Sequence, residues 1–178
     1  MVEVNIMSKE IGLRVVEKDD LAFIHQLNNN ADIMSYWFEE AHQSMAYLED
    51  SYDKSIDNKN MRQFILTKND ERLGYVALFS IESVHLKAEF AIMIDPKHQG
   101  HGYAGIATDL AMDYAFSVLN LHKLYLIADQ TNEKAIHVYK KSGFQIEGEL
   151  KDEYFVNGSY HNAVIMSAFQ QEYFKKVK

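Results

Sequence analysis

The stretch QGHGYAG, residues 99–105, limits the folds open to this chain more than any other feature. It places Gly100, Gly102 and Gly105 between an alternating apolar run, EFAIMID, and a helix-like stretch, IATDLAMDYAF. A glycine-rich turn at the start of a helix presents several backbone N–H groups without side chains in the way, which suits a phosphate group. The alternative is a turn that only lets the strand and the helix pack closely.

The same glycines also spell GxGxxG, the fingerprint of dinucleotide-binding Rossmann domains, and Asp129 follows near the place of their ribose-binding acid. The predicted order of elements argues against this interpretation. A Rossmann domain repeats βαβ crossovers, and its first glycine follows the strand almost at once. Here residues 95–99 intervene, three strands precede the glycines as hairpins, and the chain ends in another hairpin.

Hydrophobic periodicity and turn residues predict eleven elements in the order β, α, α, β, β, β, α, β, α, β, β. The first half contains strands at 11–17, 61–67, 71–81 and 87–95, a helix at 21–30 capped by Asp19 or Asp20, and a helix at 44–56. This order predicts an α/β (α+β) fold with a mixed, mostly antiparallel sheet flanked by helices, in one domain spanning 1–178.

In the second half, one apolar stripe at helical spacing predicts a single straight helix after the glycines. Its members are Ala107, Leu110, Ala111, Tyr114 and Val118. KLYLIAD is apolar nearly throughout, which predicts a strand buried on both faces. A helix closed by Gly143 follows, and Asn157-Gly158 predicts a final hairpin.

Composition excludes several classes of function. The chain has no cysteine, so a thiol nucleophile and a Cys-ligated zinc are both excluded. Its net charge of −8 argues against a nucleic-acid partner. No stretch approaches the ~20 apolar residues of a membrane span, so we expect a cytoplasmic protein with no membrane partner. The eight histidines offer no ligand pattern, and we predict no metal site.

Residues Gln99 to Ala104 resemble the Q/R-x-x-G-x-G/A motif of the GNAT N-acetyltransferases, whose element order is similar to the one predicted here. The resemblance implies acetyl-CoA as cosubstrate. It implies that the backbone of the strand before the loop binds the pantetheine arm and that the loop holds the pyrophosphate. The implied cosubstrate-binding residues are Ile92, Met93, Ile94, Gln99, Gly100, His101, Gly102, Tyr103, Ala104, Gly105, Asn132 and Lys134.

A closer resemblance covers nearly the whole chain. FIHQLNNN, IMSYWFEE, AEFAIMI, LNLHKLYLIAD, NEKAIHVYKKSGF and EGELKDEYFVNG are similar to segments of the bacterial spermidine N-acetyltransferases. That family begins near the position of Met7, which makes residues 1–6 a predicted leader. The resemblance implies direct acetyl transfer to a primary amine of a polyamine, and assembly into a homo-oligomer, with a ring-shaped dodecamer as one form.

Acetyl transfer requires an acid that protonates the departing thiolate of coenzyme A. The resemblance assigns this catalytic role to Tyr139 in HVYKKSGF. From the residues alone Tyr139 is equally well a core residue, because it shares a helix face with Ala135 and Ile136.

A polyamine carries about three positive charges near pH 7, so its site should combine carboxylates with aromatic faces. The run from Tyr36 to Glu40 supplies both, although Trp37 and Phe38 also suit a core and the glutamates a solvated surface. The resemblance favours recognition of the amine. The implied substrate-binding residues are Met34, Tyr36, Glu39, Glu40 and Glu89.

Two positions depart from the family pattern. Tyr47 and Ser80 stand where the family often has glutamates of a second, regulatory polyamine pocket. Glu82 lies two residues beyond Ser80 and, if the strand continues without a break, points to the same face, where we expect it to substitute for the missing charge. We therefore weigh two other functions: an acetyltransferase for the N-termini of ribosomal proteins, and a polyamine or acetyl-CoA sensor without turnover.

Overall fold

The computed structural model describes residues 11–177, so the predicted leader at 1–6 lies outside the described residues. The strands are β1 Ile11–Val15, β2 Arg62–Lys68, β3 Glu71–Glu82, β4 Lys87–Ile94, β5 Lys123–Asp129, β6 Gln145–Val156 and β7 Ser159–Phe169. The helices are α1 Leu21–Asn28, α2 Ala31–Met34, α3 Met45–Ser55, α4 Tyr103–Asp113, α5 Glu133–Ser142 and α6 Gln170–Val177.

All seven strands form one sheet in the order β1-β2-β3-β4-β5-β7-β6. Among the strands of residues 11–177, β4 and β5 run parallel and every other neighbouring pair is antiparallel. The predicted fold class is therefore confirmed. A doubly wound dinucleotide fold, which needs repeated parallel crossovers, is excluded for the described residues.

The parallel pair separates along its length. Lys87–Glu89 pairs with Lys123–Tyr125, and the two strands share no pairing beyond that point. Phe90–Ile94 and Leu126–Asp129 consequently face each other across a gap in the middle of the sheet.

Helices cover both faces of the sheet, and the strands alternate between two hydrophobic clusters. Ile65 and Tyr75 point into the cluster that α1, α2 and α3 complete. Leu66 and Val76 point the other way, into the cluster of α4 and Phe144. This alternation is the period-2 pattern of a strand that is buried on both sides.

The stripe predicted after the glycine loop is interrupted. The helix α4 ends at Asp113 and continues as a π-helical turn, Tyr114–Val118. The wider turn rotates the residues that follow, so Ala115 and Phe116 are buried while Val118 is 47% exposed. The prediction for Val118 was therefore wrong.

The burial of β5 and the presence of two more helices also differ from the sequence-based prediction. β5 is buried on one face only, because Ile127 on its other face borders the gap described above. The helices α2 and α6 were not predicted. α6 is short and rich in charge, yet Tyr173 and Phe174 pack it against the core.

Asp20 precedes α1, as predicted, but its side chain makes no capping hydrogen bond to that helix. The carboxylate is instead buried between two guanidinium groups, at 2.6 Å from Arg14 Nη1 and 2.7 Å from Arg72 Nε. It also accepts a hydrogen bond from Glu17 N. The acid therefore ties β1 and β3 to the start of α1.

Within residues 11–177, no helix is long and apolar enough to cross a membrane.

Candidate active site

The gap between β4 and β5 opens into a cavity of about 1030 Å³. The glycine loop closes one end of it, α5 forms one wall, and the segment 32–39 borders the other end together with Tyr154 of β6. The separation of the two strands thus creates a cleft that is continuous from the loop to this aromatic and acidic end.

The glycine loop has the backbone geometry that the sequence indicated. Gly100 and Gly102 both have φ of +79°, a conformation that side-chain-bearing residues rarely adopt. Gly102 is the residue immediately before α4, and a Cβ added there would meet nothing within 4 Å. The loop therefore requires glycine for its backbone angles, and it leaves the N–H groups at the start of α4 accessible to an anion.

Hydrogen bonds within the loop set its shape. Gln99 Nε2 donates to Ile94 O over 3.3 Å, which ties the loop to the end of β4. The His101 ring lies 2.9 Å from Gln99 O through Nδ1 and stacks on Tyr103 at 5.8 Å between centroids. His101 therefore braces the loop from outside and does not line the cavity.

The free edge of β4 presents backbone polar groups to the gap. Asp95 N donates to Leu73 O, and Gly74 lies opposite Ile94. The alternation of an antiparallel ladder then points the N–H and C=O groups of Ile94, Ile92 and Phe90 away from β3. In agreement with this, Trp37 Nε1 donates to Ile92 O over 3.3 Å.

Tyr139 projects from α5 into the cavity. Its ring meets Phe90 edge-on, with centroids 6.2 Å apart and planes at 89°, and it also contacts Phe144. Burial raises the pKa of Tyr139 to about 12. Its hydroxyl takes no hydrogen bond from or to another described residue, so the proton is available to a group bound in the cavity.

Glu89 lies on β4 where the strands begin to separate, and its side chain is half-buried in the cavity wall. Burial raises the pKa of this carboxyl, and the nearby Tyr125 partly offsets the rise. The pKa of Tyr154 is raised by burial and, in addition, by the charges of Glu153 and Glu89. The carboxyl is therefore close to the aromatic end of the cleft.

At that end, the rings of Phe38 and Tyr154 are stacked, with centroids 3.6 Å apart and planes at 7°. Phe38 has φ of +59°, an uncommon conformation for a bulky side chain. Strained backbone of this kind persists where the surrounding structure holds it, and it concentrates at ligand sites. Asp32, Tyr36 and Glu39 line the cavity beside this stack.

The structure brings most of the predicted site residues together. The ones that line the main cavity are Tyr36, Glu39, Glu89, Ile92, Met93, Ile94, Gln99, Gly100, Gly102, Tyr103, Ala104, Gly105, Asn132, Lys134 and Tyr139. Met34 and Glu40 do not. They line a second cavity of about 240 Å³, next to Tyr47, and Glu39 borders both cavities. The run from Tyr36 to Glu40 is thus divided between the main cavity and the second cavity.

Several lining residues were not predicted from the sequence. Asp32 follows the polar run NNN, which was interpreted only as the end of a helix, although Asn30 caps α2 there by accepting from Ile33 N. Tyr154 lies more than a hundred residues from Phe38, and no local pattern indicates that the two meet. The aromatic composition of EYFVNG was the only available signal.

The expectation for Glu82 was wrong. The pairing of β3 with β4 shifts between Phe79 and Glu82, where Ser80 has φ of +48°. The extra residue places Glu82 on the face of Phe79 and not on that of Ser80. Its carboxylate pairs with Lys87 at 3.2 Å. Glu82 therefore does not take the place of a glutamate at Ser80.

Comparison with known proteins agrees with this geometry. The family model "Acetyltransferase (GNAT) domain" matches residues 10–145. A spermidine N(1)-acetyltransferase of Escherichia coli K12 is 51% identical over 168 residues, which cover 94% of this chain and 90% of that protein.

Two solved structures from Vibrio cholerae are similar to this one. The spermidine N-acetyltransferase in complex with CoA and spermine has a TM-score of 0.92 at 43% identity, covering 94% of this chain and 99% of that one. A dodecameric structure of the spermidine N-acetyltransferase has a TM-score of 0.87 at 42% identity, covering 96% and 100%.

Proposed function

The chain belongs to the GNAT acetyltransferase family, and we propose on that basis that it transfers the acetyl group of acetyl-CoA to a primary amine of a polyamine such as spermidine or spermine. The observation that carries the proposal is the continuous cleft, with a glycine-rich anion loop at one end and an acidic, aromatic surface at the other. The similarity to a relative in complex with CoA and spermine supports both halves of it.

The cosubstrate end of the cleft suits coenzyme A. The loop from Gln99 to Gly105 presents N–H groups to the pyrophosphate. The outward C=O and N–H groups of Ile92 and Ile94 suit the amides of the pantetheine arm, which would lie along the free edge of β4. Asn132 and Lys134 border the same end from the α5 side.

The amine end suits a polycation. Asp32, Glu39 and Glu89 supply carboxylates, and Phe38 with Tyr154 supplies ring faces for cation–π contact. Glu40 borders the second cavity instead of the main cleft. The acids in the main cleft therefore match the charge of the proposed substrate.

The reaction requires no covalent acetyl-enzyme. The uncharged amine nitrogen attacks the thioester carbonyl carbon, the C–S bond breaks, and the departing thiolate takes a proton from the Tyr139 hydroxyl. Glu89, whose pKa is raised by burial, is placed to accept the amine proton, directly or through water. Tyr139 and Glu89 lie in the wall of one cavity, on α5 and β4.

Release of free thiol from acetyl-CoA tests the function. We expect release with spermidine and spermine and none with a peptide N-terminus. Release with the peptide alone would favour a ribosomal-protein N-terminal acetyltransferase, and an absence of release with any of the acceptors would favour a sensor. Either result removes the polyamine proposal.

We further propose one catalytic domain spanning 1–178, a homo-oligomer that includes a ring-shaped dodecamer, and action in the cytoplasm. The dodecameric structure of the similar Vibrio cholerae protein supports the assembly. Cytoplasmic action rests on the similarity to bacterial spermidine acetyltransferases.

A further inference from the structure

A buried carboxylate in the cavity wall has no role in the function proposed above. Asp129 ends β5, lines the cleft and is 2% exposed. Its Oδ1 accepts hydrogen bonds from the N–H and the hydroxyl of Thr131, at 2.7 and 2.6 Å. These bonds shape the turn between β5 and α5, the helix that carries Tyr139.

The other oxygen of this carboxylate reaches a different part of the sheet. His161 Nδ1 on β7 lies 2.6 Å from Asp129 Oδ2, and His161 Nε2 lies 3.1 Å from Ser159 Oγ. A hydrogen bond to a buried charged carboxylate is among the stronger polar contacts in a protein. Burial alone would raise the pKa of Asp129, but its hydrogen bonds from Thr131 and His161 lower it.

His161 lies near the end of the β6–β7 hairpin, where the strand pairing is irregular and the neighbouring Asn162 bridges the irregularity through hydrogen bonds with Asp152 N and Glu149. The pairing of β6 with β7 shifts once between Ile146 and Gly148, breaks again after Leu150, and resumes at Tyr154, which lies opposite His161. Asp152, within the break, has φ of +48°. Residues 154–161, called here the hairpin tip, therefore extend beyond an irregular hinge.

The hairpin tip carries one of the two stacked rings at the amine end of the cleft. Tyr154 is the cross-strand partner of His161, so both side chains point to the same face. A contact that fixes His161 to the end of β5 consequently fixes the position of Tyr154 opposite Phe38.

We propose that the bridge between His161 and Asp129 positions the hairpin tip for amine binding, so that it determines the affinity for the polyamine and leaves the affinity for acetyl-CoA largely unchanged. This inference rests on the proposed function. His161 is a positioning residue, since it acts through Tyr154.

The test compares His161→Leu with His161→Asn. Leucine removes the donor, whereas asparagine keeps an N–H donor at the distance of Nδ1 from the main chain. Loss of one charge-assisted hydrogen bond changes the equilibrium constant that depends on it by about tenfold or more. We expect His161→Leu to raise the KM for spermine by about tenfold, with the KM for acetyl-CoA within about twofold, and His161→Asn to recover most of the loss.

Tyr160→Phe is the matched control, because Tyr160 lies exposed in the same hairpin tip and the change keeps both the bridge and the ring contact with Phe155. Two readouts do not depend on turnover. Trp37, the single tryptophan, lines the cleft, so its fluorescence reports spermine binding directly. Hydrogen exchange of residues 154–161 reports the tip itself, and we expect faster exchange in His161→Leu only.

An unchanged spermine affinity in His161→Leu, equal effects on both substrates, or no recovery in His161→Asn would overturn the inference. Should His161→Leu fail to fold, His161→Gln replaces it, because its longer side chain misplaces the donor. A parent enzyme that acetylates no polyamine would instead overturn the proposed function, while hydrogen exchange would still test the bridge.

Discussion

The ring of Tyr139 meets the ring of Phe90 edge-on across the cleft, with centroids 6.2 Å apart. Phe90 is 3% exposed and belongs to the core, so it fixes the tyrosine ring while the hydroxyl stays in the cavity. Tyr139 can therefore be both a core residue, through its ring, and a catalytic acid, through its hydroxyl.

Tyr139→Phe should keep the packing and remove only the hydroxyl. We expect kcat to fall by about 10² to 10⁴, the range for loss of a general acid, with coenzyme A binding within about twofold. Steady-state kinetics and a calorimetric titration with coenzyme A measure the two quantities. A variant with the parental kcat would show that Tyr139 serves only packing.

The pH dependence of the reaction should follow Glu89 and not Tyr139. The pKa of Tyr139 is raised to about 12, so this group stays protonated up to strongly alkaline pH. The pKa of Glu89 is raised by burial, so kcat/KM should increase as pH rises through that value and the carboxylate forms. Glu89→Gln should lower kcat/KM and abolish this acidic limb. If kcat/KM of Glu89→Gln still rises with pH in the same way, another group is responsible for that rise.

Gly102→Ala should weaken coenzyme A binding, because φ of +79° costs a residue with a Cβ about 1–2 kcal/mol. Gly12 in β1 has open space around it and no positive φ, so Gly12→Ala is the control and should bind normally. The rise in melting temperature on adding coenzyme A measures binding in both variants.

The parent protein should also distinguish coenzyme A from NAD. At 100 times its Kd, coenzyme A should stabilise the parent by about 2.7 kcal/mol, whereas NAD should add nothing. Stabilisation by NAD would contradict the site described here.

Asp20→Asn should lower the free energy of unfolding by about 1–3 kcal/mol, because it removes the buried charge that accepts hydrogen bonds from Arg14 and Arg72. The control is Asp50→Asn, which removes an exposed pair with Lys54 and should leave the free energy of unfolding nearly unchanged. Urea unfolding measures both. Equal effects would show that burial of Asp20 adds nothing.

The same acid should contribute to acid unfolding. Burial alone would raise the pKa of Asp20, but hydrogen bonds from Arg14, Glu17 N and Arg72 hold it well below its usual value. A carboxyl with a lowered pKa in the folded state stabilises the protein above its unfolded pKa of about 3.9 and loses that contribution as pH falls further. The stability difference between the parent and Asp20→Asn should therefore shrink below about pH 4.

Most of the secondary structure was predictable because it depends on local periodicity. The strand alternation, the turn at Asn157-Gly158 and the cap at Gly143 are confirmed, with φ of +48°, +89° and +120° at these three residues. The π-helical turn at 114–118 was not predictable, since an apolar stripe with period 3.6 does not reveal one inserted residue.

The sequence by itself determined the fold class and the glycine loop, because positive φ and period-2 burial are imposed residue by residue, and it indicated the family through the resemblance of its motifs. Only the tertiary structure decided how the segment 34–40 divides between two cavities, how Tyr154 reaches Phe38, and how His161 reaches Asp129. These contacts join positions 32 to 116 residues apart, and they depend on where β4 and β5 separate and where β6 bends. Neither event leaves a periodic pattern in the chain.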